Sequence, residues 1–258
     1  MTMAKTDVAT TKEAQLPSTL MAGMEEDAAQ HGQSFGADML IIPRLNILQD
    51  LSPQTKERRA EFVPGAKPGL IFNNITNSLD TEIFFTPAKF FVRYIAWQEN
   101  RGGLVDQTLT KEETEENFKE VGLGHWTGTL IPRGKDKPVN VDVIQTPEWV
   151  GIASGEGWGP MPVAISFPVT KAKSARKINT AIDLTEVQGS KGPIKPPAFY
   201  HNFKLGTAIE QSGENEWFGW QINHLGLHTD PAIVDRARKL KVAFDEGKAE
   251  VSTEGASQ

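Results

Sequence analysis

The stretch from Glu82 to Trp97, EIFFTPAKFFVRYIAW, constrains the fold more than any other part of the chain. It is rich in the aromatic and β-branched residues that favour strands. Alternation places Phe91, Arg93 and Ile95 on one face and Phe90, Val92, Tyr94 and Ala96 on the other. Large apolar groups on both faces need cover on both faces, so this strand is predicted to be central in a sheet.

The segments around it supply neighbours. GLIFNNIT, WTGTLIP, VNVDVIQT, EWVGIA and PVAISFPV each read as strands bounded by Gly or Pro. AFYHNFKLGTAIEQ and EWFGWQINHLG read as two more, joined by the polar turn SGEN. Upstream, MLIIPRLNILQ is apolar on both sides of Pro43, which lacks a donor, so it reads as an edge strand or extended arm. A turn-rich basic connection, SPQTKERRAEFVPGAKPG, follows it. The acidic insertion within residues 99–120 reads as a short exposed helix or a mobile loop.

Two segments are helical by pattern. TKAKSARKINTAIDL carries Ala175, Ile178 and Ile182 at helical spacing. DPAIVDRARKLKVAFDEG opens with Asp230 as a natural N-cap and Pro231 at the first helical position. The expectation is a β-rich α+β fold, a barrel or sandwich with one internal helix and one C-terminal helix. Residues 1–38 read as a disordered acidic lead-in, 39–229 as the folded domain, 230–247 as the closing helix and 248–258 as a disordered tail.

Composition narrows the chemistry. The chain has 258 residues and no cysteine, which excludes disulfides, thiolate metal sites and cysteine nucleophiles. No apolar run approaches the roughly 20 residues of a membrane span. MTMAKTDVATTKEAQ has no signal-peptide core. These features fit a cytoplasmic protein with no membrane partner. There is no GxxxxGK[ST] loop and no GxSxG elbow. The glycines of GLGHWTG and SGEGWG read as loop punctuation, and Gly226 between His224 and His228 argues against a helical metal pair. The chain is therefore expected to be no enzyme, with no catalytic residues, metal or cofactor.

The formal net charge is -6, yet seven Lys/Arg lie between Lys171 and Lys204 against only Asp183 and Glu186. Lys171, Lys173, Arg176 and Lys177 lie on the internal helix segment, with Lys191 and Lys195 in the loop after it. Tyr200, Trp217 and Trp220 follow on the last two strands, and Trp97 stands beside Arg93 and Arg101. Cations neutralise phosphates and rings stack on bases of any sequence, which is what a single-strand groove requires. A solvated helix face and a set of core rings would use the same residues. Alternation demands that part of the aromatic set be buried, because Trp217 is opposite in face to Phe218 and Trp220.

The order of segments adds a resemblance. IPRLNILQDLSP, GAKPGLIFNNIT and VRYIAW are followed by PVAISFPVTKAKSARKINT, PAFYHNFKL and ENEWFGWQI. This arrangement, over about residues 39–225, resembles tailed-bacteriophage proteins of replication and recombination taken to bind single-stranded DNA with an OB-like fold. The resemblance implies an OB-like antiparallel β-barrel that coats exposed strands in replication, recombination or repair, without chemistry of its own. Single-stranded DNA is the implied partner, phage replication or recombination proteins are candidate partners, and self-association is compatible with it. The resemblance implies contacts by the Lys171 to Lys177 cluster and the aromatics of the closing strands. With the charge and aromatic pattern read above, the expected nucleic-acid-binding set is Lys171, Lys173, Arg176, Lys177, Lys191, Lys195 and Arg93 for the backbone and Trp97, Tyr200, Trp217 and Trp220 for bases. Unlike many such proteins, the chain lacks a dense acidic tail: Asp245, Glu246, Glu250 and Glu254 are sparse and Lys248 intervenes. The alternatives are a non-enzymatic phage structural or assembly protein, in which the aromatics pack subunits, and a metal-dependent nuclease whose carboxylates converge on folding.

Overall fold

The computed structural model describes residues 41–100, 103–168, 172–249 and 251. The acidic lead-in 1–38, Arg101, Lys171 and the tail beyond Val251 lie outside the described residues. Among the described residues thirteen strands form: β1 (Arg44–Ile47), β2 (Ile71–Asn73), β3 (Leu79–Asp80), β4 (Glu82–Gln98), β5 (Leu104–Leu109), β6 (Lys119–Gly122), β7 (His125–Leu130), β8 (Val139–Gly155), β9 (Trp158–Ser166), β10 (Val187–Gly189), β11 (Gly192–Ile194), β12 (His201–Ser212) and β13 (Asn215–Leu227). Among the described residues three helices accompany them: α1 (Lys111–Asn117), α2 (Ala172–Leu184) and α3 (Pro231–Asp245).

The strand expected to be central is central. β4 and β8, 17 residues each, pair antiparallel along nearly their whole length and form the spine of the sheet. VNVDVIQT and EWVGIA, read as two strands, are the continuous β8, and Pro147 lies within it opposite Val92. The principal path runs β13-β12-β4-β8-β9-β1-β2-β3, with β5 added to β4 and the β6-β7 hairpin added to β8. The sheet is a strongly curled half-barrel. The expected closed antiparallel OB barrel is not what forms: β13 and β3 end the path without pairing to each other, and β1 runs parallel to β9.

Two further expectations change. β1 is an interior strand, flanked by β2 and β9, because Pro43 lies just outside it and only its carbonyl is used, accepting from Ala164 N at 2.8 Å. The acidic insertion holds β5 and a real helix, α1, so there are two internal helices where one was expected. Its start is fixed locally by a capping box, with Thr110 Oγ1 accepting from Glu113 N and Glu113 Oε2 accepting from Thr110 N. At the C-terminal end, Asp230 caps α3 by accepting from Ala232 N at 2.8 Å, with Pro231 in the first turn. Val251, in the segment expected to be a disordered tail, is buried and bridges Ile42.

The spine has helices on both faces. On the inner face, Ala175 and Ile178 of α2 join Phe85, Trp149, Ala153, Ile165, Phe203 and Trp220. On the outer face, Ala237 and Leu240 of α3 join Ala88, Val150, Ile152 and Ala164. A third cluster, around Tyr94, Trp126, Val141 and Val143, fills the far end of the spine beneath α1.

One bulge sets which residues face which layer. Pro87 pairs with Gly151 and Lys89 with Val150, so Ala88 is an extra residue in β4. The insertion flips alternation, and Phe85 and Phe90 both point to the inner face. Gly151 opposite the bulge is required: a Cβ there would lie 2.3 Å from Thr86 O and 2.6 Å from the Phe85 ring.

Candidate nucleic-acid interface

α2 forms because its apolar stripe, Ala175, Ile178 and Ile182, has an inner sheet face to cover. Burying Ile178 alone is worth roughly 1.5–3 kcal/mol. Two polar contacts fix its position. Ser174 Oγ donates to Trp220 O at 3.3 Å, and Asn179 Oδ1 accepts from Trp149 Nε1 at 2.9 Å. The opposite face of the helix presents Lys173, Arg176 and Lys177, all exposed. Among the described residues, none of the three has an acidic partner within ion-pair distance.

After α2 the chain makes the small β10-β11 hairpin, which carries the exposed Lys191 at its tip. Lys195 follows it and pairs with Asp183 at 2.8 Å. The carboxylate's hydrogen bond raises the Lys195 ammonium above the ordinary lysine value. Between this pair and the sheet lies a pocket of about 270 Å³. Phe90 and Trp149 line it, their ring centroids 5.3 Å apart and tilted by 49°. Ile182 and Pro196 form apolar walls, and Asn179 adds a polar group.

The remaining predicted residues do not gather here. Trp220 is a core residue, 3% exposed and packed on Phe167, which leaves no free face for a base. Arg93 is committed internally: its Nε lies 3.0 Å from Glu148 Oε2, and its guanidinium sits over the Phe91 ring. Glu148, fully buried, also binds Arg44 Nη1 at 2.8 Å and accepts from Ser166 Oγ at 2.6 Å. Tyr200 is on the α3 side, where Arg238 Nη2 donates to its hydroxyl at 3.3 Å. Trp217 is half-buried on the outer face of the β12-β13 hairpin and donates to Glu210 Oε2 at 3.0 Å. Trp97, paired with Asp142, is at the far end of β4, some 12 residues or about 40 Å of strand from Phe85.

The structure brings in residues that the sequence reading left outside the site. The basic connection after β1 is tied to β13, where Gln49 Nε2 donates to Phe218 O and Gln49 Oε1 accepts from Phe218 N, both at 2.9 Å. Gly69, at φ +86°, packs under the Phe218 ring. Phe218 and Trp220 are successive inner-face residues of β13, so this connection and the start of α2 meet the same short stretch of strand. Lys56, Arg58, Arg59 and Lys67 are exposed on the connection, against Glu57 and Glu61. The signal was present as a basic run; its placement depends on Gln49, which no local pattern reveals. The pocket was missed for a similar reason, since Trp149 reads only as part of a strand.

Two histidines are the other polar feature of the inner face. His201, fully buried, has Nδ1 3.1 Å from His224 Nε2 and Nε2 3.3 Å from Pro196 O. Because Nε2–H donates to Pro196, Nδ1 is the acceptor and His224 supplies the proton between the rings. Burial lowers the pKa of both below the ordinary histidine value. His228 turns elsewhere, its Nδ1 accepting from Asp230 N. Among the described residues no group of three or more His, Asp or Glu side chains is placed to hold a metal ion.

The profile of the Pam3 phage gp34-like protein family matches residues 11–250. The chain belongs to that family. It is thus a phage-type protein, and the match extends from within the lead-in, across the sheet and α2, to the end of α3. No curated protein and no solved structure matches it. No helix among the described residues is long and apolar enough to cross a membrane.

Proposed function

We propose that this phage protein binds single-stranded DNA and coats it during replication, recombination or repair, with the exposed face of α2 as the centre of the interface. One observation carries the reading: Lys173, Arg176 and Lys177 stand together on one helix face with no acidic partner among the described residues, in a chain of net charge -6. Unpaired cations on an acidic protein repel little else and attract a polyanion. Lys191 and the basic connection anchored near β13 add exposed cations, and half-buried Phe90, with Trp149 behind it, lines a pocket beside the helix. Arg93 and Trp220 leave the proposed set, because one is ion-paired and the other buried.

The test is a titration of intrinsic tryptophan fluorescence or anisotropy with oligo(dT) across a salt series. Three phosphate contacts by α2 give a log–log salt slope of about -2, since each contributes roughly -0.7 on single strands. Binding that is absent at low salt, or indifferent to salt, overturns the reading. Degradation of the DNA on adding a divalent metal would replace it with the nuclease alternative.

A further inference from the structure

We propose that the pocket between α2 and the β4–β8 spine receives one unstacked nucleobase of the bound strand. The inference rests on the single-strand reading above and assigns the base-binding part of that same interface.

Three properties of the pocket point to this occupant. Its volume of about 270 Å³ falls just below the usual range for small-molecule sites, a size for one ring system. Half-buried Phe90 offers apolar surface to the face of a base, and Trp149, 5% exposed, packs behind it at the pocket wall. Asn179 is oriented by the Trp149 indole N–H, which fixes its oxygen and leaves its NH2 without a hydrogen-bond partner among the described residues. That amide is a ready donor for a ring carbonyl such as those of thymine, cytosine or guanine.

The charge arrangement separates base from phosphate. At the mouth, Lys195 and Asp183 cancel each other, so nothing there favours an anion inside. The uncompensated cations are outside, on the same helix. Arg176 is one turn before Asn179 and Lys173 is six residues before it, about 4.5 and 9 Å along the axis. A base seated against Asn179 therefore leaves its phosphates within reach of long cationic side chains.

The experiment compares oligo(dT) of about 16 nucleotides with an abasic tetrahydrofuran oligomer of equal length and charge. We expect oligo(dT) to bind the wild-type protein tighter by about five- to 150-fold, the span of one stacked base. Ile182→Trp, which fills the pocket, should bring oligo(dT) down to the abasic affinity and leave the abasic affinity and salt slope unchanged. Asn179→Asp keeps the acceptor for Trp149 and removes the donor, and it should lower the dT-to-abasic ratio. If wild type binds both oligomers equally, the pocket assignment falls while single-strand binding stands. If oligo(dT) wins but Ile182→Trp does not reduce its advantage, the bases stack elsewhere and the assignment again falls. If neither oligomer binds, the single-strand reading fails and takes the pocket with it. A change in the sedimentation of DNA-free protein on Ile182→Trp would assign the pocket to a second copy and overturn the proposal.

Discussion

α2 and α3 cover opposite faces of one spine, yet they treat their charges in opposite ways. On α3, Arg238 and Lys239 pair with Asp235, Lys241 pairs with Asp245, and Lys89 from β4 reaches the same Asp245. These contacts hold Asp235 and Asp245 below the usual carboxylate range, chiefly through hydrogen bonds from Lys239 and Lys241 respectively. On α2 the cations have no such partners among the described residues, and its one acid, Asp183, is taken by Lys195. A helix that closes its own electrostatics is complete as a structural cover. One that leaves them open has charge to spare for the polyanion proposed above.

The outer face extends this closure into the sheet. Glu148 sits buried between Arg44 and Arg93, and removing it takes the neutralising carboxylate from two guanidinium groups. Glu148→Ala is expected to cost about 3–5 kcal/mol of folding free energy in urea unfolding. A near-wild-type midpoint would show that the outer face does not depend on internal pairing.

Reversing α2 is next in size and should act on binding alone. The triple substitution Lys173→Glu, Arg176→Glu and Lys177→Glu is expected to lower affinity for oligo(dT) about a hundredfold at low salt and to flatten the salt slope by about 2. The urea midpoint should stay in place. The matching reversal of Arg238, Lys239 and Lys241 should disturb α3 while sparing DNA affinity. Equal losses from the two triples would erase the distinction between the helices.

Acid asks whether the inner face tolerates an unpaired cation where none is exposed. The folded-state pKa of His201 lies below the ordinary 6.5 because of burial. Below 6.5 the unfolded chain therefore binds the proton more readily than the folded one. This contribution to stability is full above pH 6.5 and is lost as pH falls through the folded value. His201→Asn should remove that part of the pH dependence of urea unfolding, and an unchanged profile would contradict it. The smallest effect belongs to Asp235→Ala, whose exposed pairs should leave the urea midpoint unmoved.

What the sequence disclosed was local. The start of α3 follows from Asp230 and Pro231, whose capping chemistry needs no distant partner. The central strand follows from apolar residues on both its faces, whatever lies above or below. Facing across β4 could not be read, because the bulge at Ala88 exchanges inside for outside and is set by the close approach of Gly151. The candidate site divides similarly. Clustering of Lys173, Arg176 and Lys177 follows from helical spacing. Their freedom from acids, the pairing of Arg93 with a residue 55 positions away, and the aromatic floor under Asn179 arise only when β4, β8 and α2 are packed together.

Gln49 carries a consequence beyond joining a loop to β13. Its amide meets the N–H and C=O of Phe218 as a neighbouring strand would. An unpaired edge is a template on which another chain can polymerise. On the proposed function, molecules lined up on a shared strand of DNA would meet at high local concentration, and a bare β13 would invite them to fuse edge to edge. A single glutamine, occupying one rung of the ladder, closes that rung to another strand.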